Sequence, residues 1–189
     1  MYSYPLRFKA GAIPTEANQM VVDAQKHPVL FRPKITDAMS PCTIYADQSA
    51  SQPLYVALHQ EQGEAIGFLI QNPGGAALGQ LTASSGHAWE LLDEHGHTLA
   101  TIQEKAAWKN SCLYQLLTLP FDQSFSDSML KVFAPHRYMV TINGKKALML
   151  REVTNELSDD YILKKSGDFP QAAEAILLVS LMMLLCIKE

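Results

Sequence analysis

The chain has 189 residues, 48% of them hydrophobic, and a formal charge of −4. These values suit one domain with a sizeable core and give no basic excess of the kind that tracks nucleic-acid phosphates, so a single domain over 1–189 and no nucleic-acid partner are expected. Cys42, Cys112 and Cys186 are odd in number and lack C-x-x-C spacing, which indicates neither a disulfide framework nor a zinc site and points to a reduced compartment.

Met1 to Lys9 has no continuous apolar run, which argues against an ordinary secretory signal and for a cytoplasmic protein. Beyond it an apolar strand, a polar turn and a second apolar strand recur. The pattern reads Met20 to Val22, turn Asp23 to His27, Val29 to Phe31, then Leu54 to Leu58, turn His59 to Glu64, Ala65 to Ile70. It returns as Trp89 to Leu92, turn Asp93 to His97, Leu99 to Ile102, and as Tyr138 to Ile142, turn Asn143-Gly144, Lys145 to Leu150. Asn143-Gly144 is the strongest local signal, because a two-residue type I′ turn needs positive φ at both centres. Tyr138, Val140 and Ile142 alternate onto one face. Pro28 and Pro53 stand where a residue without an N–H is tolerated, beside a turn and at a strand start.

Two regions break the rhythm. Asn72 to Gly75 reads as a turn followed by a flexible glycine-rich stretch to Gly79, and Ala106 to Ser128 as a long connection with one short helix and an apolar cluster (Leu113, Leu116, Leu117, Leu119, Phe121). Tyr161 to Leu163 is a last strand, after which Asp168 is the expected N-cap of a helix over 171–187, with Pro170 at its entry and Glu174 near its positive end.

That helix is apolar on every side. From Ile176 to Ile187 only Ser180 interrupts Leu, Ile, Val, Met and Cys, so no polar stripe is left to face water. A membrane span needs about 20 apolar residues, and this run is shorter, carries Glu174 and stops at Lys188 and Glu189. A core helix is expected, with Ile176, Leu177, Leu178, Leu181, Met182, Leu184 and Leu185 gaining about 1.5 to 3 kcal/mol each on burial. Ser180 stays buried by returning its hydroxyl to the carbonyl of Ile176. A helix of this length, about 25 Å at 1.5 Å per residue, matches the height of a barrel of six- to eight-residue strands. The fold class is therefore mainly β: hairpin repeats closed into an antiparallel barrel around a hydrophobic C-terminal helix.

The opening Tyr4-Pro5-Leu6-Arg7-Phe8-Lys9, the hairpin Trp89 to Ile102, the Ala107-Trp108-Lys109 after it and the close Tyr161 to Leu185 resemble the LURP-one-related family, which belongs with the phospholipid scramblases and the tubby C-terminal domain. The resemblance covers nearly the whole chain. It implies an antiparallel barrel of about twelve strands around a central helix. It also implies contact with membrane lipid, through phosphoinositide binding in the tubby relatives. The chain shows neither a Pro-rich N-terminal segment nor a scramblase-like spanning tail, so scrambling is not expected.

Chemistry is sparse. His95 and His97 beside Asp93 and Glu94 are metal-ligand types, yet they are also what a solvated turn uses, and no third ligand is fixed by spacing. Ser84-Ser85-Gly86-His87 lacks a nucleophile elbow and reads as a turn, Gly74 to Gly79 lacks a phosphate-loop signature, and Cys42 reads as an ordinary small buried thiol. Neither a catalytic set nor a cofactor is expected. The cations offer more: Arg32 and Lys34 alternate across Pro33, and Lys145-Lys146 and Lys164-Lys165 lie near hairpin ends, an arrangement suited to a lipid phosphate. The leading expectation is a non-enzymatic binding module, peripheral at the membrane, for an anionic lipid head group or a protein partner. The rivals are a hydrolytic or metal-dependent enzyme with His87, His95 and His97 at the barrel rim, and a structural or regulatory protein acting through oligomerisation.

Overall fold

The computed structural model describes residues 2–9, 18–34, 40–62, 65–85, 87–105, 136–155 and 158–187. Among the described residues, twelve antiparallel strands close into one barrel and a C-terminal helix fills it. The strands are β1 (Leu6–Lys9), β2 (Gln19–Val22), β3 (Pro28–Arg32), β4 (Cys42–Tyr45), β5 (Pro53–Gln62) and β6 (Ala65–Gln71), followed by β7 (Ala77–Ser85), β8 (Ala88–Asp93), β9 (Thr98–Glu104), β10 (Arg137–Ile142), β11 (Lys145–Asn155) and β12 (Ser158–Lys165). Each strand pairs with its neighbours in sequence, and β1 closes the wall on β12 through Leu6↔Leu163 and Phe8↔Tyr161. Closure leaves no sheet edge.

The period-2 alternation decides which side chains meet the helix. Leu6 and Phe8, Val21, Leu30, Ile44, Ile70, Leu81, Leu91, Ile102, Val140, Leu150 and Leu163 are all buried on the inside. The helix α1 (Gln171–Ile187) presents Leu177, Leu178, Val179, Leu181, Met182, Met183 and Leu184 to them, each at most 2% exposed. Ser180 Oγ donates to the Ile176 carbonyl at 2.8 Å, which disposes of the one hydroxyl in the run. No helix among the described residues is long and apolar enough to cross a membrane.

Three expectations need correction. The glycine-rich stretch after Asn72 is not flexible: Ala77–Ser85 is a nine-residue strand, and a Cβ on Gly79 would lie 2.6 Å from the Leu92 carbonyl oxygen and 3.2 Å from Ile176 Cγ2. Gly79 is there first because the β8 carbonyl of Leu92 leaves no room for a side chain, with Ile176 of the helix close behind. Residues 59–62, expected in a turn, continue β5, since His59 and Phe68 face each other edge-on across the ladder and extend the pairing. Asp168 does not cap α1; the helix opens at Gln171, and Asp168 instead lies 3.7 Å from Lys165 Nζ, whose ammonium sits 4.8 Å above the Phe169 ring. The expected connection and short helix at Ala106 to Ser128 fall outside the described residues.

Because every strand reverses direction, the barrel has two unlike ends. At one end the chain turns through 23–27, 46–52, 72–76, 94–97 and 143–144 and then enters α1. Four of these turns use one device: Asp23, Asp47, Asn72 or Asp93 accepts backbone N–H groups of residues two or four further on. A residue of positive φ then closes the turn, Lys26 (68°), Ala50 (52°), Gly75 (88°) and Gly96 (83°) respectively. The Asn143-Gly144 turn has positive φ at both centres as its sequence requires. At the other end β1, β3, β5, β7, β9 and β11 finish, the longest sequence separations between successive strands fall, and α1 ends.

Candidate functional site

At the long-connection end, the interior is polar. Arg32 is fully buried, not part of a surface cation pair with exposed Lys34 as its alternation across Pro33 suggested. The strand β3 ends by pairing Arg32 with Gln19, and this register turns the guanidinium inward. Its Nε donates to Gln19 Oε1 at 3.2 Å, and the same oxygen accepts from Cys186 Sγ at 3.4 Å. A cation at this place suits the negative end of the α1 dipole. Burial pushes the neighbouring Cys42 thiol up to about 11, with the Arg32 guanidinium pulling it back and Cys186 adding to the rise. A thiol held so high is protonated near neutral pH and inert.

At the same end, on the opposite side of the barrel, Glu104 is clasped by two imidazoles, His87 Nδ1 at 3.2 Å from Oε2 and His136 Nδ1 at 2.9 Å from Oε1. Glu152, 2% exposed, accepts the His136 backbone N–H at 2.8 Å. Tyr138 lies fully buried beneath, its ring centroid 6.5 Å from that of Trp89, and burial first, then Tyr161, Glu104 and Glu152, drive its phenol far above the ordinary value. Neither imidazole is hydrogen bonded to a serine, threonine or cysteine among the described residues. The Ser84 hydroxyl bonds the Ala88 carbonyl instead. The arrangement ties β8, β9, β10 and β11 together and, among the described residues, holds no activated nucleophile.

At the tight-turn end, His95 and His97 stand out in solvent, 70% and 78% exposed, with His97 Nδ1 3.3 Å from Asp93 Oδ2 and His95 Nε2 3.6 Å from Glu94. They are a barrel height away from His87, so the three rim histidines do not converge. Among the described residues, no three His, Cys, Asp or Glu side chains are arranged to hold a metal. Inside this end, Glu174 in the first turn of α1 is 3% exposed and faces Tyr2 and Tyr4. Burial, then the Glu174 carboxylate, raises the Tyr4 phenol. The positive end of the helix dipole favours that carboxylate.

The six cations singled out from the sequence divide between the ends. Arg32 and Lys34 are at the long-connection end, whereas Lys145, Lys146, Lys164 and Lys165 gather at the other, where β11 and β12 pair as Leu148↔Lys165 and Met149↔Lys164. Lys145 and Lys146 border a groove of about 470 Å³ with Asn143, Gly167 and Asp168.

Lys146 and Lys164 continue a row on the outer face, while Lys165 shares the inward face with Leu148. On the outer face of the wall, Arg7 pairs with Ile162, Ile162 with Arg151 and Arg151 with Arg137, so three arginines span β1, β12, β11 and β10 at one level. Lys9 and Lys164 lie one pleat away on either side. Arg7, Lys9, Arg151 and Lys164 are exposed, and Arg137 is half-buried with an Nε that has no hydrogen-bond partner among the described residues. None of these five makes an ion pair among the described residues. Like charges directly opposite across a ladder destabilise it by about 0.2 to 1 kcal/mol, so Arg137 opposite Arg151 is not a stability device. The opposite half of the wall differs completely: residues 35–104, which hold β4 to β9, contain eight Asp or Glu and not one Lys or Arg. The charge runs in sequence, and the alternation Arg7-Phe8-Lys9, would have revealed this segregation.

Comparison of the chain with protein-family models, with curated proteins and with solved structures returns no match.

Proposed function

We propose that the chain is a non-enzymatic binding module, of the LURP-one-related and tubby-like kind, that lays the β10–β11–β12–β1 side of its barrel on an anionic membrane surface. The segregation of charge carries this reading. A cationic half of Arg7, Lys9, Arg137, Arg151 and Lys164, extended by Lys145 and Lys146, stands against a half with no cation on its strands. Each such cation near an anionic surface contributes about 1 kcal/mol, within roughly one Debye length. Half-buried Met139, Met149 and Ile162 between the charges supply apolar contact at the same face. The module works from the cytoplasmic leaflet as a peripheral protein.

The test is sedimentation with vesicles. Phosphatidylserine vesicles should retain the protein at low salt and release it as salt rises, while phosphatidylcholine vesicles do not retain it. Equal retention by both, or none by either, contradicts the reading; retention that survives Arg151→Glu removes the wall from it.

A further inference from the structure

The cationic half contains a cavity with its own charge balance. It has a volume of about 280 Å³ and lies on the outside of the barrel where β1 passes between the end of β2 and β12. Val22 and Ile162 line it with apolar surface, and Arg7, Lys9, Lys26 and Asp23 line it with charge. Arg7 and Lys9 are two residues apart on one face of β1, roughly 6.6 Å along the strand, so both heads reach over the same cavity. Lys26 arrives from the β2–β3 turn.

The way Lys26 arrives is informative. It occupies the positive-φ position of its turn, at φ 68°, the place that Gly75 and Gly96 fill in two turns built on the same hydrogen bonds. A side chain is disfavoured in that conformation, and a strained residue at a cavity is an observation from which function is argued. Asp23 does not cancel the cations by pairing with them: its Oδ1 accepts from the Gln25 and His27 backbone N–H groups at 2.9 and 2.8 Å, and Oδ2 lies 3.6 Å from His27 Nδ1. Three cations and one carboxylate leave two positive charges.

We infer that this cavity binds a phosphate monoester, the common group that carries close to two negative charges at neutral pH and three terminal oxygens for an Arg fork and two ammonium groups. The inference rests on the anionic-surface reading above and sharpens it. A phosphodiester offers one charge and no terminal phosphate, so discrimination between the two is the signature of a site, whereas a merely basic wall reads only charge density.

The experiment compares the full-length chain on vesicles of phosphatidic acid, a monoester, and of phosphatidylglycerol, a diester, matched in surface charge, with soluble glycerol 3-phosphate as a third arm followed by calorimetry. Expected is a preference of fivefold or more for phosphatidic acid. Lys26→Gly and Lys9→Gln should abolish that preference while leaving residual retention through Arg137, Arg151 and Lys164. Because Gly is at ease at position 26, the Lys26→Gly chain folds at least as well as the parent, and an unchanged or higher Tm confirms it. Binding of glycerol 3-phosphate, lost in Lys26→Gly, without any vesicle retention assigns the site to soluble monoesters and overturns the membrane reading alone. Equal retention by the two lipids with no response to glycerol 3-phosphate overturns the site and leaves the membrane reading standing. No binding in any arm overturns both.

Discussion

The two halves of the barrel wall obey one rule inside and opposite rules outside. Inward positions on β4 to β9, such as Ile44, Ile70, Leu81, Leu91 and Ile102, are as apolar and as buried as Leu6, Leu30, Val140, Leu150 and Leu163 on the other half. Outward positions part company. Arg7, Lys9, Arg151 and Lys164 face solvent on one side, with half-buried Arg137 on the same outer face, and Leu58, Leu69, Gln71 and Thr82 take the corresponding places on the other. The fold constrains alternate residues only, so the remaining positions are free to carry a charge pattern that stability alone does not call for.

Substitutions should separate these layers, and the inward layer should respond most. Leu181→Ala removes a fully buried side chain from the centre of α1 and should cost about 2 to 5 kcal/mol in denaturant unfolding, with Leu181→Asp failing to fold. A full-stability Leu181→Asp chain would mean the helix is not in the core. Arginines give the sharper contrast. Arg32→Ala empties a fully buried guanidinium site and should cost about 3 kcal/mol, whereas Arg151→Ala on the outer face should stay within about 0.5 kcal/mol. Equal losses at the two positions would erase the distinction between the layers.

The turns give smaller effects with a sign. Backbone N–H bonds from His97 and His95 hold the Asp93 carboxyl below its ordinary 3.8. Its contribution to stability is therefore complete above that ordinary value and lost as pH falls below it through the folded-state value. Asp93→Asn keeps an acceptor, as Asn72 does in its own turn, but cannot titrate. The Tm difference between parent and variant should accordingly shrink on acidification below the ordinary carboxyl range; a difference independent of pH would show that the charge is not what the turn uses. Lys26→Gly should act in the stabilising direction, a gain of about 1 kcal/mol from relieved strain.

The inside of this protein was legible in its sequence, and the outside less so. Hairpin periodicity and the all-apolar run to Ile187 led to a closed barrel around a helix because burial enforces both patterns. What misled was local composition. Gly74 to Gly79 reads as slack, but Gly79 answers the Leu92 carbonyl of the neighbouring strand and Ile176 of the helix, contacts that the composition around residue 79 does not contain. Arg32 and Lys34 read as partners, and the end of β3 sends one inward to Gln19. The clasp of Glu104 by His87 and His136, and the row Arg7, Arg151, Arg137, join residues from several different strands. Only register brings them together, and register is not visible in one strand at a time.

The most direct test of the central claim compares two variants of equal net charge. Arg7→Gln/Arg151→Gln and Gln52→Glu/Gln71→Glu each lower the charge by two, the first pair on the cationic half and the second on the half without cations. Retention on phosphatidylserine vesicles at low salt should fall at least tenfold for the first and remain near the parent for the second, with both Tm values preserved. Equal losses in the two would show that net charge alone, and not a particular side of the barrel, governs the contact.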